Sequence, residues 1–126
     1  MSSKILIADD EPGICLSLKK RLEAQGYECL VAKNGREAVS IAKKSVPALI
    51  LLDLKMPGMD GYEAFRQLQS DARTKHIKVL FFTAKDPTDV IDIGPEAMDR
   101  LDFIFKPFDD EAVMLLVKST IESLQK

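Results

Sequence analysis

The run Ala48-Leu49-Ile50-Leu51-Leu52-Asp53 constrains the fold of this chain more than any other stretch. Its apolar residues are consecutive and are soon followed by Pro57 and Gly58, a pattern typical of a strand that is buried on both faces. Such strands form the centre of parallel sheets, and the working crevice of an open parallel sheet lies outside the carboxyl ends of its strands. Asp53 is therefore expected at the rim where a site would be built.

Four further apolar runs alternate with helical patterns along the 126 residues. The predicted strands are Lys4–Ala8, Tyr27–Ala32, Ala48–Asp53, Lys78–Thr83 and Asp102–Phe105. Parallel strands need right-handed crossovers, and both faces of such a sheet must be covered. The alternation therefore predicts one α/β domain over residues 1–126, a doubly wound five-stranded parallel sheet of flavodoxin-like order 2-1-3-4-5 with helices on both faces.

Five helices are expected to connect and follow these strands. The first has Pro12 in its first turn and is followed by Gly26 as a C-terminal cap, the second follows Asn34-Gly35, and the third spans Tyr62–Ser70. The fourth begins near Asp86, and the pair Gly94-Pro95 should leave it short or broken. The last spans Asp109–Gln125, and its apolar periodicity predicts this buried face: Val113, Leu116, Val117, Ile121 and Leu124.

Composition limits the classes of function. The 18 basic and 20 acidic residues are dispersed and give a net charge of −2, which provides no cationic face for nucleic acid or an anionic membrane. No apolar run approaches the roughly 20 residues of a membrane span, and no signal peptide is evident, so a cytoplasmic protein is expected. Cys15 and Cys29 are predicted to be buried free thiols, and His76 to be a solvated loop residue.

The predicted strand order collects polar residues at one edge of the sheet. Asp9 and Asp10 follow the first strand and Asp53 ends the third, so these acids line the two sides of the crevice where the winding reverses. Thr83 and Lys106 follow at the ends of the fourth and fifth strands. Three acids, a hydroxyl and an amine thus come from four different strands.

Three carboxylates about 5 Å apart would repel each other by roughly 3 kcal/mol per pair at an effective dielectric constant of 20. They must therefore share protons or hold a cation. Oxygen ligands favour a hard ion, and so few carboxylates suit Mg²⁺ better than Ca²⁺. An ammonium group, a divalent ion and a hydroxyl around one carboxylate would suit an attached phosphoryl group.

These residues carry a specific resemblance. With Asp9-Asp10, then Asp53 followed by Met56-Pro57-Gly58-Met59-Asp60-Gly61, then Thr83-Ala84 and Lys106-Pro107-Phe108, the chain resembles the receiver domains of two-component response regulators. The resemblance extends from about Lys4 to Leu124. It implies that Asp53 is the phosphoacceptor and that Mg²⁺ is held by the following groups: Asp9, Asp10, Asp53 and the backbone carbonyl of Lys55.

The resemblance also implies a switch. Thr83 is the switch hydroxyl, Phe103 the switch aromatic residue, and Lys106 the cation that binds the phosphoryl group, with a cis peptide bond expected between Lys106 and Pro107. The signal would leave through the face formed by the fourth helix, the fifth strand and the fifth helix. The chain departs from the family pattern at Ala97–Leu101, where a Gly-Ala pair is usual, and at Gly94-Pro95.

By the same resemblance the protein is a signalling phosphoacceptor and not an enzyme with turnover. Its expected partners are a sensor histidine kinase or a histidine phosphotransfer protein, and a downstream protein target or a fused output domain. No output domain is expected within this chain.

Three other functions are possible for a protein of this predicted fold. A flavodoxin-like FMN carrier would need hydroxyls and free N–H groups after the first strand, where Asp9 and Asp10 would repel a phosphate. An aspartyl phosphatase carries a second acid two residues after its nucleophile, where this chain has Lys55. A receiver-shaped interaction module without phosphorylation would have no need for the acids, the hydroxyl and the lysine together. Flavin absorbance and labelling by a small phosphodonor would separate these possibilities.

Overall fold

The structure, a computed structural model, describes residues 3–84, 102–106 and 109–125, with the main chain alone at residues 83, 84, 102, 105 and 106. Strands and helices alternate along these ranges. They are β1 (Lys4–Ala8), α1 (Pro12–Ala24), β2 (Glu28–Ala32), α2 (Gly35–Ser45), β3 (Leu49–Asp53), α3 (Gly61–Gln69), β4 (Lys78–Ala84), β5 (Asp102–Lys106) and α4 (Asp110–Leu124). The predicted fourth helix and its Gly94-Pro95 interruption lie outside the described residues, as does the Lys106-Pro107 bond.

The strands form one parallel sheet in the order β2-β1-β3-β4-β5, which confirms the predicted topology. Ala8 at the end of β1 pairs with Ala32 of β2 and Leu52 of β3. Asp53 at the end of β3 pairs with Phe82 of β4. The carboxyl ends of the central strands therefore reach the same edge, and the residues that follow them leave the sheet side by side.

Two apolar clusters cover the two faces of the sheet. Because successive side chains of a strand point to opposite faces, Leu6 and Ile50 pack toward α2 and α3, whereas Ile5 and Leu51 pack toward α1 and α4. All of β3 is buried, as its continuous apolar run predicts. Burial of each such side chain contributes about 1.5–3 kcal/mol, so both faces of the central strand hold the sheet in place.

The helices begin and end at recognisable signals. Pro12 opens α1, and after its end Gly26 adopts a φ of +96° while Tyr27 N donates to Leu22 O at 3.1 Å, a hydrogen-bond pattern that terminates helices. Side-chain caps begin the other helices, at Asn34, Asp60 and Asp109. In the described part of the chain, no helix is both long and apolar enough to cross a bilayer.

The last helix packs on the sheet largely as its periodicity predicts. Val113, Val117 and Ile121 are buried and Leu116 is partly buried. The prediction for Leu124 is wrong, because this side chain is the last residue of α4 and remains 48% exposed. Apolar periodicity locates the inward face of a helix but not the point where that face leaves the core.

A polar contact joins α4 to α1. The Ser17 hydroxyl donates to Asp110 Oδ2 at 2.8 Å, and Arg21 Nε lies 3.3 Å from the same oxygen. Asp110 is the first residue of α4, where a carboxylate also complements the helix dipole. The start of α4 is thereby attached to the middle of α1.

Both cysteines are free and buried, as predicted, and His76 is exposed. Burial raises the pKa of the Cys29 thiol to about 11, with a smaller contribution from the charge of Glu23. Neither thiol lies at the surface where it could act as a reactive group.

The turn after α3 carries an ion-pair network that predicts a pH effect. Arg73 donates from its side chain and its main-chain N–H to Asp71, and Lys43 of α2 lies 3.7 Å from the same carboxylate. These hydrogen bonds and charges lower the pKa of Asp71 to about 2. A lowered pKa stabilises the fold above the unfolded pKa of about 3.9, and this contribution disappears as the pH falls toward 2.

We therefore expect wild type to be more stable than Asp71→Asn at pH 5 and the difference to shrink between pH 4 and pH 2. Thermal unfolding followed by circular dichroism across this range measures the difference. A gap that stays constant down to pH 2 would contradict the assignment.

Candidate functional site

Three carboxylates meet at the carboxyl edge of the sheet. Oxygens of Asp9, Asp10 and Asp53 all lie within 4.8 Å of one another. Asp9 and Asp53 are 1% and 4% exposed, whereas Asp10 faces solvent. The strand register explains the cluster. Ala8 of β1 pairs with Leu52 of β3, and Asp9 and Asp53 are the residues that directly follow this pair. The sequence predicted this meeting of acids.

The main chain and side chain of Asp9 are held by hydrogen bonds from three sides. Asp9 N donates to Ala32 O at 3.2 Å, and Oδ1 accepts from Glu11 N at 2.9 Å. The Cys15 thiol donates to the carbonyl oxygen of Asp9 at 3.3 Å. The sequence predicts Cys15 only as a buried thiol and does not predict this contact. Its one signal is a small side chain with a weak donor in the first turns of the helix after the acid pair.

Asp53 is the last residue of β3, and its Oδ1 accepts from Lys55 N at 3.2 Å. The following loop continues the sheet pattern, since Leu54 N donates to Phe82 O at 2.9 Å. Gly61 N then donates to Leu54 O at 2.8 Å, which closes the loop where α3 begins. The carboxylate and the Lys55 backbone thus belong to one short, hydrogen-bonded turn.

Thr83 and Lys106 are located by their strand register alone. Thr83 follows Phe82, the partner of Asp53, and Lys106 pairs with Ala84. Their main chains therefore reach the edge that carries the acids, one and two residues beyond the level of Asp53 along β4. Their side chains lie outside what the structure describes.

Phe103 belongs to a row of aromatic rings beneath this edge. It stacks on Phe81 with 5.6 Å between ring centroids, and Phe81 meets Phe65 of α3 edge to face at 5.3 Å. Phe81 is fully buried, whereas Phe103 is partly buried. The row links α3, β4 and β5 through one edge-to-face contact and one stacked contact between rings.

A cavity of about 320 Å³ opens beside the acid pair, lined by Asp9, Asp10, Pro12, Cys15, Leu16, Lys19, Val31 and Lys33. A larger groove of about 460 Å³ lies between α1 and α4, and its lining contains none of the three acids. The smaller cavity is therefore the one that gives access to the acid cluster. Leu16, at 55% exposure, provides an apolar contact point at its margin.

The donor set of the cluster fits a hard divalent cation. All of its side-chain ligands are carboxylate oxygens, and two of them are buried where their mutual repulsion is poorly screened by water. A cation held between them would offset that repulsion. FMN, whose phosphate is anionic, would instead be repelled by the same acids.

Comparison with known proteins agrees with this geometry. The family model described as "Response regulator receiver domain" matches residues 5–118. Protein PilH of Pseudomonas aeruginosa is 34% identical over 119 residues, which cover 94% of this chain and 98% of PilH. Sporulation initiation phosphotransferase F of Bacillus subtilis is 37% identical over 118 residues, covering 94% of this chain and 93% of that protein. Response regulator PleD of Caulobacter vibrioides is 39% identical over 94% of this chain, which spans only 26% of PleD.

Solved structures share the fold over almost the whole chain. The signal receiver domain of a signal transduction histidine kinase from Syntrophus aciditrophicus is 35% identical with a TM-score of 0.85, over 99% of this chain and 94% of that one. Chemotaxis protein CheY4 of Vibrio cholerae is 27% identical with a TM-score of 0.84, over 95% of this chain and 99% of that one. The chain therefore belongs to the family of response regulator receiver domains.

Proposed function

We propose that this receiver domain accepts a phosphoryl group on Asp53 in a Mg²⁺-dependent reaction. The observation that carries the proposal is the cluster of three carboxylates, whose oxygens lie within 4.8 Å of one another at the carboxyl ends of β1 and β3. Asp53 is the member that ends the central strand and is held by the turn at Lys55. The donor is a sensor histidine kinase or a histidine phosphotransfer protein.

Mg²⁺ would be held by Asp9, Asp10, Asp53 and the backbone carbonyl of Lys55. When bound, the ion neutralises the carboxylates and the oxygens of an incoming phosphoryl group. The residues themselves already provide fixed ligands, because main-chain N–H groups hold Oδ1 of both Asp9 and Asp53.

In the reaction, an oxygen of the Asp53 carboxylate attacks phosphorus while the bond between phosphorus and the donor's imidazole nitrogen breaks. The imidazole leaves, and Asp53 becomes an acyl phosphate. Lys106 pairs with the new anion, and the Thr83 hydroxyl donates to one of its oxygens. The protein is a signalling acceptor and assists only its own phosphorylation and dephosphorylation.

Donor access would be along the cavity beside Asp9 and Asp10. Its margin combines the exposed Leu16 with the cations Lys19 and Lys33. An apolar anchor with flanking positive charge suits a protein surface that presents a phosphorylated side chain.

The output would use the aromatic row. Movement of Thr83 toward the phosphoryl group would open space that Phe103 enters, and fuller burial of that ring is worth up to about 1.5–3 kcal/mol. Phe103 is suited to this because it is only partly buried while it stacks on the fixed Phe81. The changed face, formed by the segment between β4 and β5 with β5 and α4, would be read by a downstream protein or a fused output domain.

Some relatives consist almost entirely of the part that matches this chain, and others are much longer. PilH and phosphotransferase F match this chain over almost their full length, whereas PleD matches it over 26% of its length. We infer a cytoplasmic signalling domain, residues 1–126, that binds no nucleic acid by itself. The net charge of −2 with dispersed basic residues supports the last point.

Labelling by a small phosphodonor tests the proposal. Wild-type protein incubated with acetyl phosphate and millimolar Mg²⁺ should gain one phosphoryl group, read by intact-protein mass spectrometry. The same incubation with excess EDTA should give no gain. Equal labelling with and without the chelator would refute the role of the metal, and no labelling from any acyl phosphate or kinase would refute the acceptor role.

A stability prediction follows from the crowded acids. Asp9→Asn removes one charge from the cluster while its side-chain oxygen still accepts from Glu11 N. We expect the metal-free variant to be more stable than wild type by about 1–3 kcal/mol, a few degrees to about 10 °C in Tm. Mg²⁺ should raise the Tm of wild type and leave the variant almost unchanged. Thermal unfolding in EDTA and in Mg²⁺ measures both effects. If the variant had a lower Tm than wild type in EDTA, repulsion among the three carboxylates would not be what destabilises the metal-free protein.

A further inference from the structure

Gly35, the first residue of α2, lies directly against the loop that follows Asp53. A Cβ atom built on Gly35 would overlap the carbonyl oxygen of Met59 and would lie 3.1 Å from both the carbonyl carbon and Cγ of that residue. The carbonyl group is main chain and cannot rotate away as the end of a side chain could. The approach of the loop to α2 is therefore possible only without a Cβ at this position.

Nothing in the conformation of Gly35 itself calls for glycine. The glycines with positive φ among the described residues are Gly26 and Gly58. The cap of α2 is provided by Asn34, whose Oδ1 accepts from Glu37 N at 2.9 Å. Alanine would ordinarily favour a helix over glycine. The demand for glycine at position 35 therefore comes from the neighbouring loop.

That loop contains the proposed metal ligand at Lys55. It is attached to the sheet at its start by the Leu54 N to Phe82 O hydrogen bond of 2.9 Å and closed by the Gly61 N to Leu54 O hydrogen bond of 2.8 Å. Its outer part has a different support, because Met59 packs against the apolar cluster that includes α2. The contact of Met59 with Gly35 sets how closely this outer part approaches α2.

We propose that Gly35 is a positioning residue for the metal site, acting through Met59 on the loop 54–60. The hydrogen bond from Lys55 N to Asp53 Oδ1 joins the two groups at the start of the loop. By admitting the Met59 main chain, α2 supports the outer part of the loop, so that the Lys55 carbonyl and the Asp53 carboxylate keep this mutual position. The inference rests on the proposed function, since it takes these two groups as ligands of Mg²⁺. Groups that hydrogen-bond to metal ligands typically change metal affinity by about 10- to 100-fold when altered, and Gly35, which acts on the loop that carries a ligand, should lie near the lower end of that range.

Gly35→Ala tests the inference, with Gly13→Ala as a matched control. Gly13 also lies in the first turn of a helix, and a Cβ built on it meets nothing within 4 Å. Mg²⁺ affinity is read from the rise of Tm in a Mg²⁺ titration without any phosphodonor. Gly35→Ala should bind Mg²⁺ about 10-fold more weakly than wild type or worse, while Gly13→Ala should stay within about twofold.

Amide hydrogen exchange in EDTA provides a second reading that does not involve the metal. In Gly35→Ala, the amides of residues 55, 56 and 58–60 should exchange faster than in wild type, and those of β1 and β3 should be unchanged. If Gly35→Ala does not fold, Met59→Ala decides, because it removes the loop's packing on the cluster without adding an atom. It should show the same loss of protection and of Mg²⁺ affinity.

The outcomes separate the two proposals. If Mg²⁺ does not stabilise wild type, the proposed function itself fails. If Mg²⁺ stabilises wild type, two results would overturn the positioning role of Gly35. Either the test variant, Gly35→Ala or Met59→Ala, binds Mg²⁺ as tightly as wild type, or its loop amides are as protected as in wild type.

Discussion

Asp53→Asn is expected to gain no phosphoryl group under conditions that label wild type completely. The substitution removes the attacking carboxylate oxygen, while the retained amide oxygen can still accept from Lys55 N, so the turn after β3 should survive. Loss of labelling would then reflect lost chemistry and not a lost fold. Labelling with acetyl phosphate and with a partner kinase, quantified by intact mass, measures the effect.

Asp60→Asn is the matched control for this experiment. Asp60 lies in the same loop and caps α3, with Oδ1 accepting from Glu63 N at 2.8 Å. Asparagine caps helices about as well as aspartate, so this variant should be labelled like wild type. Phosphoryl uptake by Asp53→Asn at the wild-type level would mean that another residue is the acceptor.

Gly61→Ala is expected to have the largest effect on stability of any alanine substitution proposed for this chain. A Cβ on Gly61 would overlap the carbonyl oxygen of Asp53 and would lie 2.8 Å from the Asp53 carbonyl carbon and from Leu54 Cα. All three atoms are main chain at the end of the central strand, so relief requires moving β3 or α3. We expect a loss of about 3 kcal/mol, or about 10 °C in Tm, and slower phosphorylation because Asp53 itself is displaced.

Urea unfolding and the initial rate of labelling measure these two effects. Gly13→Ala again serves as the control, since its added methyl group meets no atom outside its own helix. Because helices prefer alanine to glycine, this variant should be as stable as wild type or more stable, by up to about 1 kcal/mol. If Gly61→Ala and Gly13→Ala unfold at the same urea concentration, the tight contact between α3 and β3 does not exist in solution.

The topology could be predicted from the sequence because its signals are strong and local. The unbroken apolar run of β3 is fully buried, and Pro12, Gly26 and Asn34 mark helix ends where the structure has them. Right-handed crossovers reduce five parallel strands to a few doubly wound orders, and 2-1-3-4-5 is one of the common ones. In that order β1 and β3 are neighbours, so the acids that follow them meet. The bounds of the third and the last helix, Gly61–Gln69 and Asp110–Leu124, differ from the predicted ones by one residue at each end. Leu124 was predicted to face inward because periodicity carries no information about where the core ends.

The supporting contacts of the site could not be predicted in the same way. The Cys15 thiol donates to the Asp9 carbonyl, and the Met59 carbonyl lies against Gly35. The residues around each partner in the sequence give no sign of either contact. Such contacts depend on the relative placement of two elements to within a fraction of an ångström, whereas residue patterns specify which face is buried. The same limit applies to the Asp71 network, where Arg73 lies two residues away in sequence but Lys43 belongs to α2.

The two buried free thiols can be used to measure how often the folded protein opens, because alkylating reagents must reach them to react. With a pKa of about 11, Cys29 is ionised in roughly one molecule in ten thousand at neutral pH, so alkylating reagents should react with it very slowly in the closed fold. Cys29 lies in the apolar cluster that α1 and α4 cover, so reagent should reach Cys29 when this layer separates from the sheet. Cys15 belongs to the same cluster but also lines the cavity beside Asp9 and Asp10, so its reaction would report on that cavity. The alkylation rate of Cys29 therefore measures how often that layer detaches. Its response to Mg²⁺ or to phosphorylation would show whether these events at Asp53 stabilise the packing of α1 and α4, on the face of the sheet opposite α2 and α3.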